Sequence, residues 1–232
     1  MSTLNYETPP RSDDVRPLLA PALMMFFLGT FGPPLFKPSN TTLTVTALIV
    51  CQSAAIALAI FLASQRVDRF RLIGLERNGL RRAWKTILIG FPVITAITYL
   101  TNFTTQLVLK HFDAIPEQNH PMFEIMQSGS IAQITLAIVC AVLIAPAFEE
   151  ILFRGHFQTL FASLFGNVAS ILATSLLFTI LHPWWTMPAI FVLSVMMGVV
   201  RWKTNSTWPS LAIHVLFNLT STVFFLITNR VE

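Results

Sequence analysis

"LAIVCAVLIAPAFEEILFRGHF", Leu136 to Phe157, carries two glutamates and an arginine on the back of an unbroken apolar run. The run begins near residue 131 and reaches about residue 161, longer than the roughly 20 residues that a 30 Å hydrocarbon core demands. Either the chain has left the membrane by Glu149, or Glu149, Glu150 and Arg154 have work to do inside it. Each ionised residue near mid-bilayer costs about 2.5–3.5 kcal/mol, against about 0.3–0.6 kcal/mol gained per Leu or Ile. Such residues face a bundle interior or a wet cavity.

The rest of the chain sets this stretch among helices. Of 232 residues, 54% are hydrophobic and only 11% charged, and the mean hydropathy is +0.66. A soluble domain would carry about 25% charge, so the composition predicts one polytopic membrane domain. Apolar runs suited to spans lie at about 17–36, 43–63, 84–109 and 131–161, then at about 168–183, 187–201 and 207–228. The expected fold is an all-α transmembrane bundle of about seven helices. Residues 1–16 read as a polar tail and 17–130 as three helices with their connections. Residues 131–228 hold the four helices that carry the unusual polar residues. The run after the tail is long for a signal-peptide core and reads as an uncleaved anchor.

Charge orients the bundle. The net charge of +4 would suggest nucleic acid in a soluble protein, but here no nucleic-acid partner is implied. Seven of the fifteen Lys and Arg (Arg66, Arg69, Arg71, Arg77, Arg81, Arg82 and Lys85) fall between the second and third runs, which marks a cytoplasmic segment by the positive-inside rule. A cytoplasmic N-terminus puts that segment and the Arg201/Lys203 turn inside, and Lys110 to Ser130, with Asp113, Glu117 and Glu124, outside. The segment Val67–Ala83 reads as a basic helix on the inner leaflet or a solvated loop. Cys51 and Cys140 each sit within a run and read as buried free thiols.

Only Glu149 and Glu150, of eleven acidic residues, interrupt an apolar pattern. His182 ends "LLFTILH", and His214 and Asn218 lie one turn apart in "LAIHVLFN". Glu150 and Arg154 share a face in the favourable acid-first order, whereas Glu149 is turned about 100° away. Counting from a turn at Leu164–Asn167 puts Glu149 and His182 at one depth, so Glu149 is expected to face His182 and Glu150 to be held by Arg154. A carboxylate can activate water, an imidazole can share the proton or bind a metal, and an amide can donate to an oxyanion. Blander readings exist: His214 and Asn218 as interhelical glue, and the glutamates on a helix emerged into water. His156 reads as a bystander.

The three motifs, "EEILFR" (Glu149-Glu150-x-x-x-Arg154), "FTILH" (Phe178-x-x-x-His182) and "HVLFN" (His214-x-x-x-Asn218), resemble in order those of the CPBP intramembrane proteases, also called CAAX amino-terminal proteases or the Abi family, related to the type II CAAX prenyl endopeptidase. The resemblance covers about residues 131–222. It implies a membrane-embedded protease with a polar cavity open to the cytosol, acting on a peptide or lipid-modified protein held among membrane lipids. On it, Glu149 and His182 activate water, His214 and Asn218 stabilise the oxyanion, and Glu150 and Arg154 support the site. A divalent metal such as zinc is an optional part of the family's chemistry. The sequence has no His-Glu-x-x-His, the pattern that sets two ligands and a base on one helix. A bacterial inner membrane is the expected home. The competing functions are a non-catalytic scaffold or bacteriocin self-immunity protein, and a small transporter, against which stands the lack of an inverted repeat.

Overall fold

Lipid offers no hydrogen bonds, so each apolar run must satisfy its backbone internally, and in an open chain only the helix does so. The computed structural model describes residues 10–35, 40–65, 67–76, 79–114 and 121–230, and it is helical at all seven runs with no strand among the described residues. The helices used below are α1 (Ser12–Phe31), α2 (Thr41–Ser64), α3 (Trp84–His111), α4 (Pro121–Ser128), α5 (Ile131–Phe165), α6 (Asn167–Thr179), α7 (Met187–Thr204) and α8 (Thr207–Arg230). Six of them are long and apolar enough to cross a bilayer, which makes the chain an integral membrane protein.

Three boundaries differ from the sequence reading. The fifth run forms only α6, thirteen residues and about 20 Å, too short to cross. Pro183 biases His182 away from helical geometry, so the helix stops before it and His182 lies in the following bend. Of the tail expected over residues 1–16, residues 1–9 fall outside the described residues, and α1 begins inside the rest because Val15 and Leu18 are buried. The loop expected to lie outside contains the short helix α4.

The segment between α2 and α3 is neither a continuous surface helix nor a solvated loop. It forms two short helices, Val67–Leu72 and Gly79–Arg82, and between them Ile73 is driven fully into the core. Its carbonyls are claimed from three sides. Thr159 of α5 donates to Leu72 O (3.3 Å), Arg201 of α7 to the same oxygen (3.0 Å), and Thr207 to Ile73 O through Oγ1 (2.6 Å). The Thr207 amide donates to Gly74 O (2.9 Å). Gly74 turns the chain here with φ of +71°, where a Cβ would stand 2.8 Å from Thr207 N. The Arg-rich segment and the α7–α8 turn therefore share one end of the bundle, as the charge pattern requires. At the other end Thr41 reaches Glu124 (3.3 Å), and Gln133, in a capping box with Ser130, donates to Thr42 (2.7 Å).

The core joins these ends. Ala55, Ala59 and Ala63 repeat every four residues on α2, a small-residue stripe that lets helices approach closely. They share a cluster with Ala22 and Met25 of α1, Phe148, Leu152 and Phe153 of α5, Phe178 of α6, and Ile73. A second cluster sets Ile94 of α3 against Leu193 and Met197 of α7 and Ile213 of α8. Cys51 and Cys140 are buried free thiols.

Candidate active site

Helix α5 changes winding twice. Cys140–Ile144 and Glu150–Phe157 are π-helical, wider turns of the kind that gather at functional sites. The second stretch starts at Glu150 and holds Arg154 and His156, so the Glu150–Arg154 pair lies on backbone that is not regular α-helix, whereas Glu149 ends the α-helical turn before it. Every residue of that stretch is buried.

Glu150 and Arg154 form a fully buried ion pair, Oε1 to Nη1 3.3 Å, with side chains 0% and 1% exposed. Arg154 Nη2 continues to α7, donating to Ser194 Oγ (3.0 Å) and Ser194 O (3.3 Å). The guanidinium carbon lies over the Phe178 ring, 4.9 Å from its centroid, a cation–π contact in a buried site. Glu150 Oε1 also takes His214 Nδ1 from α8 at 3.0 Å. Because the carboxylate only accepts, Nδ1 carries the proton and Nε2 faces the other way. There it meets Glu149 Oε2 at 3.6 Å. His214 thus stands between the two glutamates, one of them sealed and the other 20% exposed.

Depth permits the meeting. His214 is seven residues into α8, about 10 Å along it, and Glu150 is nine residues before Thr159, which bonds the same buried segment that caps α8. Helix α5 then runs on past that level to Phe165, so its glutamates need not lie deeper than His214.

The remaining residues are placed as follows. His182 turns Nδ1 to Phe178 O (2.9 Å) rather than to Glu149, so Nδ1 is the donating nitrogen of that bond. Its ring packs on Phe178 (4.6 Å between centroids), and His214 meets the edge of the same ring (6.3 Å). Asn218 donates through Nδ2 to Ala141 O on α5 (2.8 Å), an interhelical bond of the kind that the packing alternative describes. His156 is buried and donates from Nδ1 to Ile151 O (2.8 Å), a structural role. A groove of about 590 Å³ lies beyond His182, between α3 and Trp184, Trp185 and Pro188, and none of the six candidate residues lines it.

Phe178, Ser194 and Ser210 were not singled out from sequence. Among the described residues Phe178 is the ring that meets Arg154, His182 and His214, and only its place in the second motif marks it. Ser194 and Ser210, both buried, resemble the serines of any packed membrane helix; Ser210 stands beside the Glu150 carboxylate. Among the described residues no three His, Cys, Asp or Glu side chains converge as a ligand set for a metal ion.

No curated protein and no solved structure matches the chain. Residues 131–220 match the model of the family described as "Type II CAAX prenyl endopeptidase Rce1-like", from the first residue of α5 through the His214–Asn218 face of α8. All three motifs lie inside the matched residues, so it is this part of the chain, from α5 through α8, that is similar to the CPBP/CAAX family of intramembrane proteases.

Proposed function

We propose that the chain hydrolyses a peptide bond in a membrane-associated peptide or protein, and that Glu149 is the base that activates water. The observation that supports this best is the imidazole between two unequal carboxylates: His214 Nδ1 3.0 Å from sealed Glu150, and Nε2 3.6 Å from accessible Glu149. Glu150, neutralised by Arg154, holds the His214 ring in one tautomer, much as a buried acid orients the histidine of a hydrolytic triad. Glu149 takes a proton from water as its oxygen attacks the carbonyl carbon. The proton passes to His214 Nε2, where the resulting N–H can donate to the oxyanion and then to the amine that leaves as the C–N bond breaks. His182, with Nδ1 fixed on Phe178 O, keeps Nε2 for the water or the substrate. Asn218 has a second amide N–H beyond the one given to Ala141 O, and that is the donor it offers an oxyanion.

The proposed mechanism gives the water to Glu149 rather than to zinc, since among the described residues no three His, Cys, Asp or Glu side chains converge as a ligand set. The topology proposed sets the Arg-rich segment and the N-terminus in the cytosol, in a bacterial inner membrane, so substrates present their scissile bond from that side.

The test is cleavage of a peptide library by the detergent-purified chain, with and without chelator, beside Glu149→Ala, His182→Ala and His214→Ala. Cleavage by the parent, unaffected by chelator and lost in the variants, is the expected result. Variants that all cleave as well as the parent overturn the roles.

A further inference from the structure

The π stretch before the glutamates explains where Asn218 binds. Within it the Ala145 amide donates to Cys140 O, five residues back. The next rung of that register would join the amide of residue 146 to Ala141 O. Residue 146 is proline and has no N–H. Ala141 O receives Asn218 Nδ2 from α8 instead, at 2.8 Å.

We propose that Pro146 is a positioning residue for Asn218. By withholding a backbone donor, it reserves the Ala141 carbonyl for the side-chain amide. A carbonyl only accepts, so this bond decides which end of the amide faces α5: Nδ2 is on Ala141, and Oδ1 is turned from it. The second Nδ2–H is then fixed in direction by the planar amide. The strut sits beside the chemistry, since Asn218 is one turn from His214 on α8 and Pro146 is one turn before Glu149 and Glu150 on α5. It joins the two helices whose side chains meet at the Glu149–His214 contact. An alanine at 146 would restore the rung, compete for Ala141 O and release the amide. This inference rests on the hydrolytic reading above.

The test uses four full-length proteins in detergent: parent, Pro146→Ala, Asn218→Leu and the double variant. Each is melted and assayed on a peptide that the parent cleaves. In the parent background Asn218→Leu removes one interhelical bond and should lower Tm by about 2–4 °C. In the Pro146→Ala background, where the amide is already displaced, the same substitution should lower it by less than about 1 °C. Pro146→Ala alone should lower kcat at least about tenfold with KM little changed, because small misplacements cost up to about 10²-fold. Equal melting effects of Asn218→Leu in both backgrounds overturn the inference, as does a Pro146→Ala kcat within about twofold of the parent's. If the parent cleaves while the melting coupling is absent, only this inference falls. If the parent cleaves nothing, the hydrolytic reading falls and takes the positioning role with it.

Discussion

Replacing Arg154 by Met strands Glu150 in a place from which water is excluded. The carboxylate is 0% exposed, and the lost partner is Nη1 at 3.3 Å, while His214 Nδ1 stays at 3.0 Å from the same oxygen and Ser210 stands beside the group. The substitution also removes two hydrogen bonds to Ser194 and the cation over Phe178. Breaking one side of a buried ion pair costs about 3–5 kcal/mol. For a chain of this size each kcal/mol is worth about 2–4 °C, so Tm should fall by about 6–20 °C. Glu150→Met alone should cost a comparable amount, because it strands the guanidinium. The double variant Glu150→Met/Arg154→Met removes both charges, and apolar replacement of a buried pair is often neutral or stabilising. It should therefore melt well above either single variant, yet fail to cleave, because His214 has lost the acceptor that fixes its tautomer. Intrinsic fluorescence from the five tryptophans can follow the melt in detergent. Single variants that melt within about 2 °C of the parent, or a double variant whose loss is the sum of the two, would refute the buried-pair reasoning.

Glu149→Gln should lower the cleavage rate by at least about 10²-fold while leaving Tm nearly unchanged, since its side chain is partly exposed and meets His214 at 3.6 Å; a large fall in Tm would make Glu149 a packing residue. Phe178→Ala opens a cavity under Arg154 and both imidazoles and should cost about 3–5 kcal/mol in denaturant or thermal unfolding, with activity lost as well. Gly74→Ala puts a Cβ 2.8 Å from Thr207 N and 2.9 Å from Arg201 Cζ at a φ of +71°, so it should destabilise by about 1–3 kcal/mol in the same melts.

The helices and the polar residues were legible because lipid makes both conspicuous. An apolar run of twenty residues has one backbone solution, and two glutamates inside such a run have no innocent place to go. The resemblance read over about residues 131–222 agrees with the family match over 131–220. The Glu150–Arg154 pair follows from acid-first spacing on any helix. Which partner each remaining group takes was not legible. A 100° rotation between Glu149 and Glu150 suggested separate neighbours, His182 for one and Arg154 for the other. The structure instead sets His214 between both carboxylates, because the helix leaves α geometry at Glu150 and α8 arrives at that level. No hydrophobic period announces a π stretch.

The same blindness hid the segment between α2 and α3, whose six arginines drew attention to its charge. Its structural weight rests on Ile73 and Gly74, an ordinary pair in the sequence. Their carbonyls are bound by Thr207 and Ser206, while Thr159 and Arg201 reach Leu72 O. Each of those donors lies on α5, α7 or α8, or in the turn that joins α7 to α8. In a membrane, where a buried carbonyl has no water to fall back on, such bonds fix the start of α8 and so the height of His214. The polar groups of this bundle therefore act in two layers. A buried segment sets the level of α8 from below, and within the bundle Ala141 O and Glu150 take the amide and imidazole that α8 presents one turn apart. A helix held at its end and at two points along one face has little freedom to slide or turn, which is what a 3.6 Å approach between His214 and Glu149 requires.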